Sequence, residues 1–561
     1  MNTSHYFLIE ATNIGNNIYD TDHLSIIRGS SFLLKEAIEA IKDALHEKIE
    51  AISTGASLGL FQVKPNAPSC EVIAKDICDL LEAHEAYALF TFAIEYCEAK
   101  SLLVAKEKLR TQLRFNQLKS LSIPTDSPNL EHSNSPCELD GRRAQAREHK
   151  ERLLHGKHRL LSHSLHERLM VGREKRVDYY EKELENSDSE GYQQLNLHDY
   201  NFSEDLESLA KNPDYPKLNN KIAVIYIDGN QFSSIQKAFI ESSRDDTKAQ
   251  KDFDQIIQNK RKVFLLALLK GMIADEAGVF RLPDAYFINE NYEDQKAKYT
   301  LRLETLLWGG DEMTLVVPAW LGFEVLQLFF EITAGWTLSI NKENKPLTHA
   351  AGMVFCSVKS PIRIMRNLAE SIANTTKEES RDKNLWNYMI LESIDYPHNN
   401  QFLDYWQKRY PAKLGLEKPK SLKPATNWPK QKQSLQQLIQ PEGQESECTF
   451  PRGQLYHIAQ AIQQDTADAV KEESITWDKL FEPLADNSFQ SKQAQKEQRF
   501  LQLGDKKSRD LLKTQLPDIA KELFSLEDLD TAQNRKYFWL HLIETWDYLI
   551  PNKVATREGN S

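Results

Sequence analysis

Cysteine is scarce in this chain, and no hydrophobic run is long enough to span a bilayer. The six cysteines among 561 residues are scattered without a CxxC pair, which argues against a cysteine zinc site and fits a reducing compartment. A spanning helix needs about 20 apolar residues, and no run approaches that length. The N-terminus, MNTSHYFLIEATNIG, has no basic segment followed by an apolar one. We therefore expect a cytoplasmic protein with no signal peptide and no membrane contact.

Excess positive charge is also lacking, because the formal net charge is −12. A protein that binds nucleic acid over its whole surface is usually basic, so any such contact must be local. Residues 141–176 are the exception, with eleven Lys/Arg against four Glu. We predict that this basic segment contacts RNA or a substrate triphosphate, and a solvated or acid-paired helix is the alternative. Its histidines at 155, 158, 163 and 166 are spaced for zinc, although a solvated surface is their more usual role.

The periodicity of apolar residues predicts an α+β protein with two ferredoxin-like domains and a helical C-terminal domain. Strands and helices alternate in the order β-α-β-β-α-β in residues 5–97 and again in residues 221–374, which is the ferredoxin-like arrangement. A Ser-, Pro- and Asn-rich linker separates the two repeats. The predicted boundaries are 1–120 for the first domain, 121–215 for the linker and basic segment, 216–385 for the second domain, and 386–561 for the helical domain.

Three carboxylates are predicted to meet in the second domain. The apolar strand 221–228 ends in Asp228, and the hairpin 303–318 turns through Gly309-Gly310-Asp311-Glu312. In this fold the first strand lies beside the central hairpin, so its end and the turn are close. Unpaired carboxylates would repel one another, whereas Mg²⁺ or Mn²⁺ would offset that repulsion. Gly309 and Gly310 permit a sharp turn and the close approach of a phosphate. Alone, the GGDE turn would be an ordinary hairpin signal.

The segments VIYIDGNQFSSI, LLWGGDEMTLVVP and HAAGMVFCSVKSPIRIMRNLAESIANTTK resemble the second palm domain of the large subunit of type III CRISPR effector complexes. That family is related to GGDEF-type diguanylate cyclases. FLIEATNIGNNIYDTDHLSIIRGSSFLL resembles the family's first palm domain, in which the turn STGASLG has no carboxylate and would be catalytically silent. The chain departs from the family in having GGDE for GGDD and DGN for DGD, and the HD nuclease domain is expected to be lacking.

The resemblance implies a role for each matching residue. Asp228, Asp311 and Glu312 would be the catalytic metal ligands. Other residues would contact the nucleotide through its phosphates, sugar or base: Gly229, Asn230, Phe232, Gly309, Gly310, Lys359 and Lys377.

The implied function is a metal-dependent nucleotidyl cyclase or oligonucleotide synthase. It would join nucleoside triphosphates, with ATP favoured, into a cyclic or linear messenger in antiviral defence. The alternative is a non-catalytic nucleotide-sensing or scaffold subunit of a CRISPR-type ribonucleoprotein. A diguanylate-cyclase-like activity on GTP is a further variant. Other CRISPR effector subunits, together with RNA, are the partners implied for segment 141–176.

Overall fold

The structure is a computed structural model, and it describes most of the chain. The described residues are 3–12, 14–55, 57–119, 132–146, 152–154, 157–184, 195, 197, 200–273, 282–288, 298–392, 397, 404–406, 421–439, 452–464, 475–482, 491–502 and 506–551. Within these ranges, no helix combines the length and the apolar character that crossing a bilayer requires.

The first sheet unit is an antiparallel sheet with the strand order β2-β3-β1-β4. Its elements are β1 (Ser4–Ala11), α1 (Ile14–Ile18), α2 (Leu24–Ala44), β2 (Ile49–Thr54), β3 (Leu58–Val63), α3 (Cys70–Ala83), β4 (Phe92–Ala99) and α4 (Leu102–Gln117). Leu34, Ile38 and Ile41 recur at helical spacing in α2 and are buried, because this face packs on the sheet. The strand order is that of a ferredoxin-like fold, as the sequence pattern predicts.

A connecting region lies between the two sheet units. It consists of short strands and helices: β5 (His132–Pro136), β6 (Ala144–Ala146), β7 (Arg152–Leu154), β8 (Lys157–Arg159), α5 (His163–Glu174), α6 (Arg176–Leu184), β9 (Tyr200–Phe202) and α7 (Leu206–Ala210). Helix α5 crosses α2 at very short range. A Cβ on Gly29 would lie 1.8 Å from the Arg168 carbonyl oxygen, and one on Gly172 would lie 1.8 Å from that of Ser25. Only glycine permits the two backbones to approach so closely.

The second sheet unit has five strands in the order β13-β14-β10-β17-β18. Its elements, with those inserted among them, are β10 (Lys221–Gly229), α8 (Phe232–Glu241), α9 (Asp246–Ile273), β11 (Tyr286–Ile288), β12 (Tyr299–Leu301), β13 (Glu304–Gly309), β14 (Glu312–Pro318), α10 (Gly322–Thr333), β15 (Thr337–Ile340), β16 (Glu343–Pro346), β17 (His349–Ser357), α11 (Ile362–Glu379) and β18 (Leu385–Ile390). The first four strands of this order repeat the first unit. The mixed α+β class is therefore confirmed.

The structure places the fifth strand where the helical C-terminal domain was predicted to begin. Residues 385–390, LWNYMI, pair in parallel with β17, and every one of them is buried. A strand covered on both faces lacks the polar–apolar alternation by which strands are recognised. The predicted helical character after residue 385 is therefore wrong for this segment. Beyond it, the described helices are α12 (Trp428–Ile439), α13 (Arg452–Gln464), α14 (Lys492–Leu501), α15 (Lys506–Phe524) and α16 (Ala532–Leu549).

The basic segment 141–176 does not present all its charge to solvent. Arg143 and Arg168 both form ion pairs with Asp20, at 2.8 Å. Arg176 is buried and is paired with Glu204 at 3.3 Å. These arginines attach the segment to neighbouring elements, so the acid-paired alternative is correct for them. The prediction that the segment contacts phosphate needs correction to that extent, because a buried guanidinium with its own carboxylate is not available to RNA.

The histidines of this segment differ in their exposure to solvent. His163 and His166 are buried in the first turns of α5, whereas His158 lies exposed on β8. Residue 155 lies outside the described residues. His166 Nδ1 is 2.8 Å from a carboxylate oxygen of the adjacent Glu167. In the described part of the chain, no group of His, Cys, Asp and Glu is placed to form a metal site.

Candidate functional site

The end of strand β10 and the turn between β13 and β14 lie side by side. Asp228 is the direct cross-strand partner of Glu312, so the two side chains lie on the same face of the sheet. The Gly229 N–H donates a hydrogen bond of 3.1 Å to the Asp311 carbonyl oxygen. The predicted convergence of Asp228, Asp311 and Glu312 is therefore what the sheet register produces.

Gly309 and Gly310 have different local roles in this turn. Gly309 ends β13 and pairs with Glu312, which leaves Gly310 and Asp311 as a two-residue loop. Gly310 has φ +49°, and glycine at the first central position is typical of a tight hairpin turn. No atom lies within 4 Å of the place where a Cβ of Gly310 would be. The turn is therefore open on this side, as the approach of a ligand would require.

The three acids are electrostatically coupled. Burial, with the charges of Asp228 and Glu312 adding to it, raises the pKa of Asp311 to about 6. Burial also raises the pKa of Asp228, and the charge of Glu312 adds to this while Lys377 opposes it. Carboxylates that raise one another's pKa have uncompensated negative charge between them. This charge is what a cation would offset.

Lys377 supplies part of the compensating charge. It lies in the last turn of α11, and its Nζ forms an ion pair with Asp228 and donates to the Gly229 carbonyl oxygen at 2.9 Å. The helix reaches this position because it lies directly on β17. A Cβ on Gly352 would be 2.0 Å from the Ala369 carbonyl oxygen. The placement of Lys377 beside the acids agrees with the sequence expectation.

Three residues near the acids were not predicted from the sequence. The Tyr226 hydroxyl donates to Glu312, and Arg366 pairs with Glu370 at 2.5 Å. Burial raises the pKa of Glu370, and Asp228 and Glu312 contribute to the increase. Sequence signals for these residues existed. Tyr226 precedes Asp228 by two positions and therefore shares its face, and Arg366, Glu370 and Lys377 fall on one side of a helix.

Asn230 and Phe232 stabilise the loop after β10. The Asn230 amide donates to Thr348 Oγ1 and to the Lys383 carbonyl oxygen, both at 3.1 Å. The Phe232 ring covers Gly229 so closely that a Cβ there would lie 2.3 Å from it. Phe232 packs in a small core with residues that include Phe253 and Trp336. Phe232 also lines the cleft beside the acidic turn, so its predicted contact with a base or ribose stays a prediction.

Lys359 is not brought to the site. It follows Ser357, which pairs with Lys221 at the start of β10, whereas Asp228 lies at the other end of that strand. Seven residues of strand separate the two ends, or about 23 Å at 3.3 Å per residue. The expectation that Lys359 reaches the same phosphates as Lys377 needs correction, because β17 runs away from the acids before Lys359 is reached.

A cleft of about 930 Å³ adjoins the acids. One wall is the GGDE hairpin, residues 305–312, and another is the first unit's hairpin, including residues 51–55. Helix α9 contributes Asp254, Gln258 and Arg261 between them. Since both sheet units line this cleft, a ligand bound in it would contact the predicted silent turn as well as the acidic one.

Neither a scan of protein-family models nor a search of curated proteins found a match. Solved structures are similar at low identity. A Csm1-Csm4 cassette in complex with pppApApA has 12% identity and a TM-score of 0.45, over 96% of this chain and 69% of that one. Csm1 from T.onnurineus has 12% identity and a TM-score of 0.41, over 96% and 70%.

A Csm1-Csm4 cassette in complex with cA4 has 13% identity and a TM-score of 0.41, over 83% of this chain. The match spans about 63% of the length of that protein. The solved structures described here as similar to this chain are thus structures of Csm1, by itself or in a Csm1-Csm4 cassette.

Proposed function

We propose that this chain is a nucleotidyltransferase with two palm domains, the two sheet units, that joins nucleoside triphosphates, preferably ATP, into a linear or cyclic oligonucleotide. The observation that carries the proposal is the meeting of Asp228, Asp311 and Glu312 beside an open glycine turn and a large cleft. In the reaction, the 3′-hydroxyl of one nucleotide attacks the α-phosphate of another, and pyrophosphate leaves. Linear and cyclic oligoadenylates, the product class we favour, are bound in two of the Csm1 structures.

The donor set fits a divalent cation. Three carboxylates supply the oxygen ligands that Mg²⁺ and Mn²⁺ prefer. Burial, together with neighbouring carboxylates, raises the pKa values of Asp228 and Asp311, which supports a site where a cation would be stabilising. When bound, such an ion would stabilise the attacking alkoxide and the charge on the phosphates. In the described residues no group of acids is arranged as a finished metal site, since Asp228 faces Lys377 and Glu312 faces Tyr226.

The chain's own residues would position the substrate. Lys377 opposes the rise in the pKa of Asp228 that burial causes, and its ammonium lies where it can also donate to a phosphate oxygen. The Tyr226 hydroxyl fixes the orientation of Glu312. The absence of a side chain on Gly310 leaves room for the triphosphate at the turn. Half-burial of the acids lowers the local dielectric constant, so each of these charge interactions is stronger than it would be in water.

The test is incubation of the purified chain with each nucleoside triphosphate and Mg²⁺ or Mn²⁺, followed by mass spectrometry of the products. We expect an oligonucleotide from ATP that disappears in Asp311→Ala. If a product forms only with GTP, the substrate is GTP and not ATP. Because activation can require a partner or target RNA, the assay is repeated on protein purified with its bound RNA, which is also sequenced.

A second function is favoured by one observation. Lys377 forms an ion pair with Asp228, which was predicted to be a metal ligand. This pairing would suit a subunit that binds a nucleotide but does not catalyse its reaction. In that case ATP binds in both preparations, no product forms, and Asp311→Ala changes only the affinity. Turnover in either preparation would exclude this scaffold or sensor function.

A further inference from the structure

Arg261 is a cation in the cleft with two buried donors that are unpaired among the described residues. It lies on α9 and lines the cleft between the two hairpins. Its Nε and Nη1 atoms are buried and have no acceptor among the residues that the structure describes. Leaving a buried charged donor without an acceptor is costly, because nothing compensates for its loss of hydration. Such a cost is typical of a group whose partner is a ligand.

The surroundings of Arg261 hold it in place without neutralising it. The centre of its guanidinium lies 5.9 Å from the Trp308 ring centroid, so the two side chains pack together at the edge of cation–π range. Burial lowers the pKa of Arg261, and Glu183, Tyr179, Asp311 and Asp254 oppose this at longer range. None of these acids forms a described ion pair with it, unlike Arg366, which pairs with Glu370.

The position of Arg261 relates it to both hairpins. Two helix turns earlier on α9, Asp254 lines the same cleft as Ser53 of the first hairpin. On the other side, Trp308 belongs to the strand that leads into the GGDE turn. The guanidinium therefore lies between the predicted silent turn and the acidic turn. Since Lys377 approaches the acids from α11, on the far side of β10, Arg261 would serve a different part of a ligand.

We propose that Arg261 binds phosphate oxygens of a nucleoside triphosphate that occupies the cleft. A guanidinium presents parallel N–H donors that match two oxygens of one phosphate. Nε and Nη1, which lie on different sides of the group, each form such a pair with Nη2. This inference rests on the proposed function for the identity of the ligand. Phosphate oxygens also occur in an oligonucleotide, so the test separates these two sources.

The experiment measures equilibrium binding by calorimetry in Mg²⁺, with an ATP analogue whose α,β-methylene bridge prevents transfer. Arg261→Met removes the charge and the fork but keeps most of the volume, and should weaken binding by about 10- to 100-fold. Arg261→Lys should recover only part of the loss. The matched control is Lys251→Met, because Lys251 lines the same cleft and is already paired with Glu50. It should change the affinity by less than about threefold.

Two further ligands and a melting curve complete the test. Inorganic tripolyphosphate should show the same dependence on Arg261, whereas adenosine should not. A loss confined to a single-stranded oligoadenylate would contradict the triphosphate assignment. Thermal unfolding of Arg261→Met should occur at the wild-type temperature or above it, because an unsatisfied buried charge is removed. A lower melting temperature together with unchanged binding of the analogue would overturn the proposal and make Arg261 a structural counter-charge.

The outcome is independent of turnover. If the wild type binds the analogue through Arg261 but forms no product, the phosphate site stands and the proposed synthesis fails. If product forms and Arg261→Met binds the analogue like the wild type, the synthesis stands and this inference fails.

Discussion

The two sheet units share a strand order but differ at the turn that faces the cleft. In the second unit Asp228 opposes Glu312, and the turn between the strands adds Asp311. In the first unit the equivalent register pairs Glu10 with Leu58, and the turn there consists of Ser, Thr, Gly and Ala residues. The same backbone thus supports an acidic cluster in one copy and a single acid in the other. The fold supplies the meeting point, and a few side chains at the turn decide whether chemistry can occur there.

The largest expected difference in activity is between substitutions of Asp228 and Glu10, the acids at equivalent positions of the two units. Asp228→Asn should reduce the rate of product formation by at least about 10³-fold, or about 4 kcal/mol, because a charged oxygen ligand is lost. Glu10→Gln should leave the rate within about twofold. Initial rates are measured by chromatography of the products, with thermal unfolding to verify folding. If both substitutions abolished activity, the first unit would not be silent and the comparison would fail.

The crossing of α2 and α5, which attaches the connecting region to the first unit, should be sensitive to a single methyl group. Gly29→Ala places a Cβ at 1.8 Å from the Arg168 carbonyl oxygen, and relieving that clash should lower the free energy of unfolding by about 1–3 kcal/mol. Arg28, the neighbouring residue, is paired with Glu304 of the second unit, so activity should fall as well. Gly335→Ala is the control, because nothing lies within 4 Å of that Cβ. Equal denaturant midpoints for the two variants would contradict the tight crossing.

Two lysines test which end of the second sheet is functional. Lys377→Met should lower activity by about 10- to 100-fold, since a charged hydrogen bond is worth about 1.5–3 kcal/mol, whereas Lys359→Met should have no effect. Lys377 lowers the pKa of Asp228. Its removal raises that pKa, so the acidic limb of the pH–rate profile should move to higher pH. An unshifted profile would show that Lys377 acts on the substrate alone, and a loss with Lys359→Met would contradict the sheet register.

The smallest expected effect is a gain in stability from removing an acid of the cluster. The pKa of Asp311 is raised to about 6 in the folded chain, above an ordinary unfolded value of about 3.9. The folded state therefore holds the proton more tightly, and stability from this group falls as pH rises between those values. At pH 8, Asp311→Asn should stabilise the fold by ~1–3 kcal/mol, the lower part of this range allowing for partial exposure. At pH 3.5 the difference should vanish.

Added Mg²⁺ sharpens this last comparison. If the acids bind the ion, Mg²⁺ should raise the melting temperature of the wild type at pH 8 more than that of Asp311→Asn, and a chelator should reverse the gain. Equal increases in melting temperature for the two proteins would show that Asp311 does not contribute to metal binding. Glu10→Gln, in the first unit, should respond to Mg²⁺ as the wild type does.

Much of the acidic site could be predicted from the sequence because its parts are local or follow from strand order. Asp228 ends an apolar strand, and the Gly-Gly turn marks a hairpin. The ferredoxin-like order brings these two segments together. The prediction for Lys359 was weaker because the sequence does not show in which direction a chain continues after a strand.

The sequence by itself determined the two repeated β-α-β-β-α-β patterns and the identity of the acids, since apolar periodicity and turn residues act over a few positions. Only the tertiary structure decided that Arg143, Arg168 and Arg176 of the basic segment are ion-paired and that α5 crosses α2 at two glycines. It also decided that Nε and Nη1 of Arg261, which lines the cleft, have no acceptor among the described residues. These features depend on contacts between residues far apart in the chain. Whether a charge is satisfied is set by the neighbours that folding brings to it.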